Sequence, residues 1–257
     1  MAPTTASDPP PPPPLSFEAL TAPDDQRAAL RLVADSIAQQ RQVASLAIIF
    51  HPACFVGLAA ACSLVWSRNA RDPGTALMAV CGLVMAYLAA VRLYTSPFLG
   101  LAERFDCDAY PRGPDGSRDL VLGARFGPDL IGTLVLRLRP PPSTGKDGPA
   151  SSSSSSSSPR PVRGGSGLIR AWTTKLRYRN KGIGADLLRF AVAATRSACG
   201  DGADVAFDPA HANSAFPLSR LFSRPFDSRD EKAARALEHA LRDGDAGTAG
   251  FSIPESR

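Results

Sequence analysis

Residues 168–198 constrain this chain more than any other stretch, and their centre is Arg179-Asn180-Lys181-Gly182-Ile183-Gly184. The segment Leu168-Ile169-Arg170-Ala171-Trp172-Thr173-Thr174-Lys175-Leu176 contains no Gly or Pro and ends at a basic cluster, which predicts a strand. From Gly184 onward, Leu187, Leu188, Ala191, Val192, Thr195 and Ala198 recur at helical spacing on one face. A tight turn between strand and helix leaves the first backbone N–H groups of the helix unpaired. Together with the positive end of the helix dipole they form an anion site. Gly182 and Gly184 allow a sharp turn and close approach of a phosphate, and Arg177, Arg179 and Lys181 add positive charge. The segment reads as a pyrophosphate cradle; the plainer alternative is a strand–turn–helix with a basic surface.

The spacing is neither G-x-G-x-x-G nor G-x-x-x-x-G-K-[ST], so the signatures of dinucleotide and nucleoside triphosphate sites are missing. Arg-x-x-Gly-x-Gly between a strand and an amphipathic helix resembles the acetyl-CoA motif of the GNAT superfamily of N-acyltransferases, and residues 174–188 resemble it nearly end to end. The resemblance implies that acetyl-CoA is the co-substrate and that the amides from Arg179 to Ala185 grip its pyrophosphate. The implied contact set is Leu176, Arg177, Arg179, Asn180, Lys181, Gly182, Ile183, Gly184 and Ala185.

Two apolar runs are the second strong feature. Gln42–Ser67 and Pro73–Val91 contain no Asp, Glu, Lys or Arg, and each is long enough for the roughly 20 apolar residues of a membrane-spanning helix. Trp66, Tyr94 and Arg92 stand where interfacial anchors are expected, and residues 68–72 form a short polar loop. The pattern predicts a transmembrane helical hairpin over 45–95. A hairpin buried in a soluble core is the weaker alternative, because neither run has a polar face. The pattern is not that of a signal peptide, since it starts far from Met1 without a basic leader.

The remaining organisation follows. Residues 1–14 are a Pro-rich tail expected to be disordered, and 15–44 supply a first strand at Leu15–Leu20 and an amphipathic helix opened by Asp24. That helix carries Leu30, Val33, Ile37 and Ala44 on one face. Residues 96–243 form the body of the domain. Within it, Leu120–Phe126 and Leu130–Leu138 flank Gly127-Pro128-Asp129 as a β-hairpin. Residues 140–167, with eight consecutive serines at 151–158, read as a disordered insert. Ala203–Phe207 is the next strand, a helix is expected from His211 through Leu221, and Ser228-Arg229-Asp230-Glu231 fits a capping box. Ala233, Ala234, Leu237 and Leu241 are expected to face inward on that last helix, and residues 244–257 form a loose tail. The expected fold is α/β: a GNAT-like mixed sheet flanked by helices, with an inserted two-helix transmembrane hairpin. An even number of crossings returns the chain to one side, as a single domain requires. Membrane-anchored, camello-like GNAT proteins are similar in carrying apolar segments ahead of the motif.

The net charge of +5 comes without any run of Lys/Arg interleaved with aromatics, so nucleic acid is not an expected partner, whereas the bilayer is. The resemblance implies an amine acceptor, small molecule or protein. The five cysteines show no C-x-x-C spacing, and neither a disulfide framework nor a metal site is expected. In the resembled family a general base deprotonates the attacking amine. The motif strand offers no carboxylate, which leaves His211 and Asp208 after the next strand as candidates, although His211 equally suits a surface position at a helix start. Asn213 resembles the family asparagine that helps hold CoA, or else caps a helix. Phe222 stands nearest the place of the family's acid tyrosine and cannot donate a proton. The expected function is a membrane-bound, acetyl-CoA-dependent N-acetyltransferase on endomembranes. The alternative is a non-catalytic acetyl-CoA-binding or degenerate domain acting as a membrane adaptor.

Overall fold

The computed structural model describes residues 13–113, 116–139 and 165–246. The serine tract and the tail segments 1–12 and 247–257 lie outside the described residues, and so does the disorder expected for them. A five-stranded sheet in the order β1-β2-β3-β4-β5 forms the centre, from β1 (Leu15–Ala19), β2 (Leu120–Phe126), β3 (Asp129–Arg139), β4 (Ser166–Thr174) and β5 (Asp204–Phe207). The first three pairings are antiparallel and β4–β5 is parallel, so the sheet is mixed. The predicted hairpin is β2–β3, with Gly127 at φ +59° in its turn. The expected insert ends earlier than 167, because β4 already starts at Ser166 and pairs with Arg139.

Helices cover both faces. On one side α1 (Pro23–Ile49) packs on β3 and β4; on the other α5 (Ile183–Cys199) packs on β2, β3 and β4 and carries α6 (Arg224–Ala246). Helix α1 starts on Pro23 with Asp24 and Asp25 in its first turn, where the fixed φ of proline and the positive dipole end favour them. Its Leu30, Val33 and Ile37 are buried with Val135 and Ala171. Helix α5 buries Leu187, Leu188, Ala191, Val192 and Thr195 at the expected helical spacing, against Leu122, Leu134, Leu136 and Ile169, whereas Ala198 is exposed and Cys199 is buried in the last turn.

The first apolar run is not one straight helix. Pro52 has no N–H to give and cannot continue α1, so the chain turns at Phe50–His51, and α2 (Pro52–Arg68) leaves with a bend of 59°. Helix α3 (Pro73–Tyr94) begins at Asp72, whose carboxylate accepts the Gly74 and Thr75 N–H groups. Among the described residues one helix is long and apolar enough to span a membrane, or two when the bent pair is taken as one span. No residue of α2 is buried, and on α3 only Ala76 and Val91 are. Short α4 (Pro97–Glu103) then packs on α1.

Four expectations about the C-terminal third are corrected. No helix opens at His211: residues 208–219 are turns and extended chain, followed by one 3₁₀ turn at Arg220–Phe222. Pro209 and Pro217 explain this, since a helix through 213–221 would meet Pro217 in its interior. Ser228–Glu231 is no cap, because α6 begins a full turn earlier at Arg224, with Pro225 in its first turn and the Ser223 carbonyl accepting from Phe226 and Asp227. The helix extends to Ala246, past the expected boundary at 243. Phe226, Leu237 and Ala240 are buried on it, and Ala234 is exposed. The pairs Glu231–Arg235 and Glu238–Arg242 do form, at 3.7 Å each.

Candidate functional site

Strand β4 carries the feature that builds the site. Val135 pairs with Ala171 but the adjacent Leu136 pairs with Ile169, so Arg170 is an extra residue, a β-bulge. Beside it the parallel partner runs out: β5 ends at Phe207, opposite Ile169. Beyond that point, among the described residues, no strand pairs with this edge of Ala171–Thr174, and the segment borders a space. The space is a cavity of about 1580 Å³, lined by β4, the glycine turn, α1, α3, α6 and the loop after β5. The bulged Arg170 turns away from the cavity. Its guanidinium lies 4.4 Å from the centre of the Tyr110 ring and donates to Asp119, which also holds Arg137 at 2.7 Å. Burial pushes the Tyr110 hydroxyl up to about 12, against the opposing influence of Arg170.

At one end of the cavity the chain passes from β4 through a 3₁₀ turn at Leu176–Tyr178 into α5. Asn180 and Gly182 both have positive φ, +59° and +86°. Such alternation around Lys181 turns successive N–H groups to one side, a concavity that binds anions. Among the described residues nothing accepts from the backbone N–H of Asn180, Lys181, Gly182, Ile183 or Gly184, whereas Ala185 N–H already bonds the Gly182 carbonyl at 2.8 Å. The Arg179 N–H is also taken, by the Leu176 carbonyl at 3.3 Å, so the amide set is shorter by one at each end than the sequence implies.

The two glycines do different work. Gly182 needs its left-handed φ, and a Cβ there would meet open space. At Gly184 a Cβ would come within 2.9 Å of the Trp172 ring, whose Nε1–H donates to the Gly184 carbonyl at 3.1 Å. Gly184 thus seats the helix start against β4, in addition to any room it leaves for a ligand.

Leu176, Arg179, Asn180, Gly182, Gly184, Ala185, His211 and Asn213 line the cavity. Lys181 lies over the Tyr178 ring at 5.6 Å, Ile183 is buried in the core, Arg177 is exposed, and Asp208 is turned into its own loop, accepting the Ala210 N–H at 2.9 Å. Arg179 donates to the Thr174 carbonyl at 3.1 Å and to Gln39 at 2.7 Å. Its pKa is lowered first by partial burial and then by the positive charge of Arg229. Arg229 and Lys232 of α6 also line the cavity, and sequence reasoning missed both. Their only signal was the i,i+3 spacing of two cations, which lie on one helix face. An anion between Arg179 and Arg229 would relieve their mutual repulsion.

The His211 ring nitrogen Nδ1 lies 3.0 Å from the Asp208 backbone carbonyl. A carbonyl only accepts, so this contact places the proton on Nδ1 and leaves Nε2 with a free lone pair. Asp208 meets His211 through its backbone carbonyl, and its carboxylate lies 3.8 Å from Arg170 Nε. Asn213 caps no helix. Its side chain accepts from Gln40 at 2.7 Å and contacts Ser36 at 3.3 Å, and its carbonyl accepts from Arg229, which ties the loop to α1 and α6. Phe222 packs 5.2 Å from the His51 ring, outside the cavity lining. Among the described residues no cluster of three or more His, Cys, Asp or Glu is arranged for a metal ion, and the five cysteines are free thiols.

No family model matches the chain, and no curated protein and no solved structure matches it significantly.

Proposed function

We propose that the protein is a membrane-bound N-acetyltransferase of GNAT type that moves an acetyl group from acetyl-CoA to a primary amine. The observation that carries this reading is the run of five uncommitted amides at a doubly left-handed turn, opening onto a cavity beside an unpaired strand edge. Pyrophosphate suits the amides, with Arg179, Arg229 and Lys232 supplying counter-charge. The edge of β4 from Ala171 to Thr174 offers peptide groups to an extended, amide-bearing acyl arm. His211 Nε2 takes a proton from the neutral amine as its nitrogen bonds the thioester carbonyl carbon. The C–S bond breaks, and the proton ends on the leaving sulfur.

The membrane reading rests on the order of elements. Strand β1 pairs with β2 and α1 lies on β3 and β4, so the segments before and after α2–α3 belong to one fold. A chain that leaves this fold through α2 must re-enter on the same side. At 1.5 Å per residue, α2 and α3 measure about 26 and 33 Å, against roughly 30 Å of hydrocarbon. Two crossings fit this, with Trp66 and Tyr94 exposed at the helix ends as interfacial anchors.

The test is calorimetric titration of the protein in lipid nanodiscs with acetyl-CoA, followed by transfer of labelled acetyl to a panel of amines. Saturable binding is expected, and His211→Gln should leave that affinity unchanged while turnover falls about 10²–10⁴-fold. Binding without turnover on any amine would identify the non-catalytic alternative, and absence of binding would refute both.

A further inference from the structure

The cavity is larger than the usual 300–1,000 Å³ of a small-ligand pocket, and its two ends differ in chemistry. One end holds the amide turn and the three cations. The other is walled by Val43, Leu46 and Ile49 of α1 and by Leu88 and Val91 of α3. Val43, Leu46 and Leu88 stay 44%, 46% and 41% exposed, although a soluble fold of this size has ample interior for such side chains. They continue directly into the uncovered apolar surfaces of α2 and α3, where Phe55, Val56 and Met85 are more exposed still. At the junction, two lining residues, Arg41 and Arg92, are linked by a hydrogen bond from the Arg41 guanidinium to the Arg92 carbonyl at 3.0 Å. Arginines at that level mark the depth of lipid head groups.

From this continuity we infer that the acceptor is an amphiphile: a primary amine on a hydrocarbon chain, which enters from the bilayer between α1 and α3. The inference rests on the acetyltransferase reading and specifies its substrate class. The hydrocarbon chain lies along Val43, Leu46 and Leu88, still contiguous with lipid. The amino group passes the level of Arg41 and Arg92 and reaches His211, on the wall between the two ends. The products are an N-acyl amide, which stays in the membrane by its chain, and free CoA, which leaves at the polar end.

The experiment compares ethanolamine, butylamine, octylamine and dodecylamine, each below its micelle concentration, with phosphatidylethanolamine built into the nanodisc, at saturating labelled acetyl-CoA. The expected result is a kcat/KM that rises at least about 100-fold from butylamine to dodecylamine, as burial of eight methylenes in an apolar channel allows. Val43→Gln with Leu46→Gln should flatten that rise about tenfold or more, with unchanged affinity for acetyl-CoA in calorimetry. Transfer to phosphatidylethanolamine would identify a lipid head group as the source of the amine; transfer to dodecylamine alone would identify a single-chain base. Equal kcat/KM across the chain-length series, or binding of acetyl-CoA with no transfer to a chain-bearing amine, would overturn the inference and leave the cofactor site standing. Failure to bind acetyl-CoA would overturn it together with the proposed function.

Discussion

Gly184→Ala is the sharpest probe of how the turn is built. The added Cβ would lie 2.9 Å from Trp172 Cζ2, 3.4 Å from Cε2 and 3.6 Å from Nε1. These atoms belong to a rigid ring, not to the far end of a flexible chain, and the Phe207 ring stands 5.9 Å away on the Trp172 side of the cavity. Relief therefore requires shifting the indole or the helix start. Overpacking of this kind costs about 1–3 kcal/mol, and loss of the Nε1–H bond to the Gly184 carbonyl adds about 1 kcal/mol. For a chain of this size that corresponds to a fall in Tm of roughly 4–16 °C. Gly182→Ala has open space and pays only for a left-handed φ, about 1–2 kcal/mol. The assay is thermal unfolding in detergent in a Trp66→Phe background, so that emission reports Trp172 alone. Gly184→Ala should lower Tm and change Trp172 emission; Gly182→Ala should lower Tm less and leave the emission as it was. In a Trp172→Phe background the cost of Gly184→Ala should shrink by about 1 kcal/mol or more, since the smaller ring yields space. An unchanged Tm and emission in Gly184→Ala, or an undiminished cost beside Phe, would refute the packing argument.

Three further outcomes are expected. Asp119→Asn should destabilise by about 3–5 kcal/mol in denaturant titration, because a carboxylate 1% exposed is held between Arg137 and Arg170. With Tyr110 raised to about 12 from 10, the folded state keeps a proton that the unfolded state loses. Its contribution is therefore complete below pH 10 and declines, by at most about 1.4 kcal/mol per pH unit, as pH rises towards 12; Tyr110→Phe should abolish that slope in alkaline unfolding curves. Protease protection of tags should place the two termini on one face of the membrane and the 69–72 loop on the other, and termini on opposite faces would contradict the two-crossing arrangement.

Much of the scaffold is legible because its signals are local. Alternation and turn residues place β2 and β3, and the 3.6-residue period places α1 and α5. What escapes is set by single prolines whose effect depends on position. Pro52 breaks an apolar run that otherwise reads as continuous, Pro217 removes a helix, and Pro225 starts α6 four residues before a fair capping box. A pattern of apolar residues carries no information about a missing N–H, so each of these must be argued residue by residue.

The site itself divides along a different line. The turn at one end of the cavity presents backbone amides whose positions follow from where Asn180 and Gly182 permit positive φ, and the turn itself is legible in the sequence within a few residues. The cations Arg229 and Lys232 were not, because they reach the cavity from a helix some forty residues further along, through the packing of α6 on α5. Nor was the purpose of Gly184, which depends on a ring twelve residues earlier in the neighbouring strand. His211 was singled out by its chemistry alone, but the structure supplies a reason absent from the sequence: loss of the expected helix frees residues 208–213 to fold back on β4, with Ala212 N–H bonded to the Arg170 carbonyl at 2.8 Å. That bond ends at the bulged residue, one position past the last β4–β5 pair. Arg170 thus anchors, through its carbonyl, the loop that brings His211 to the cavity wall.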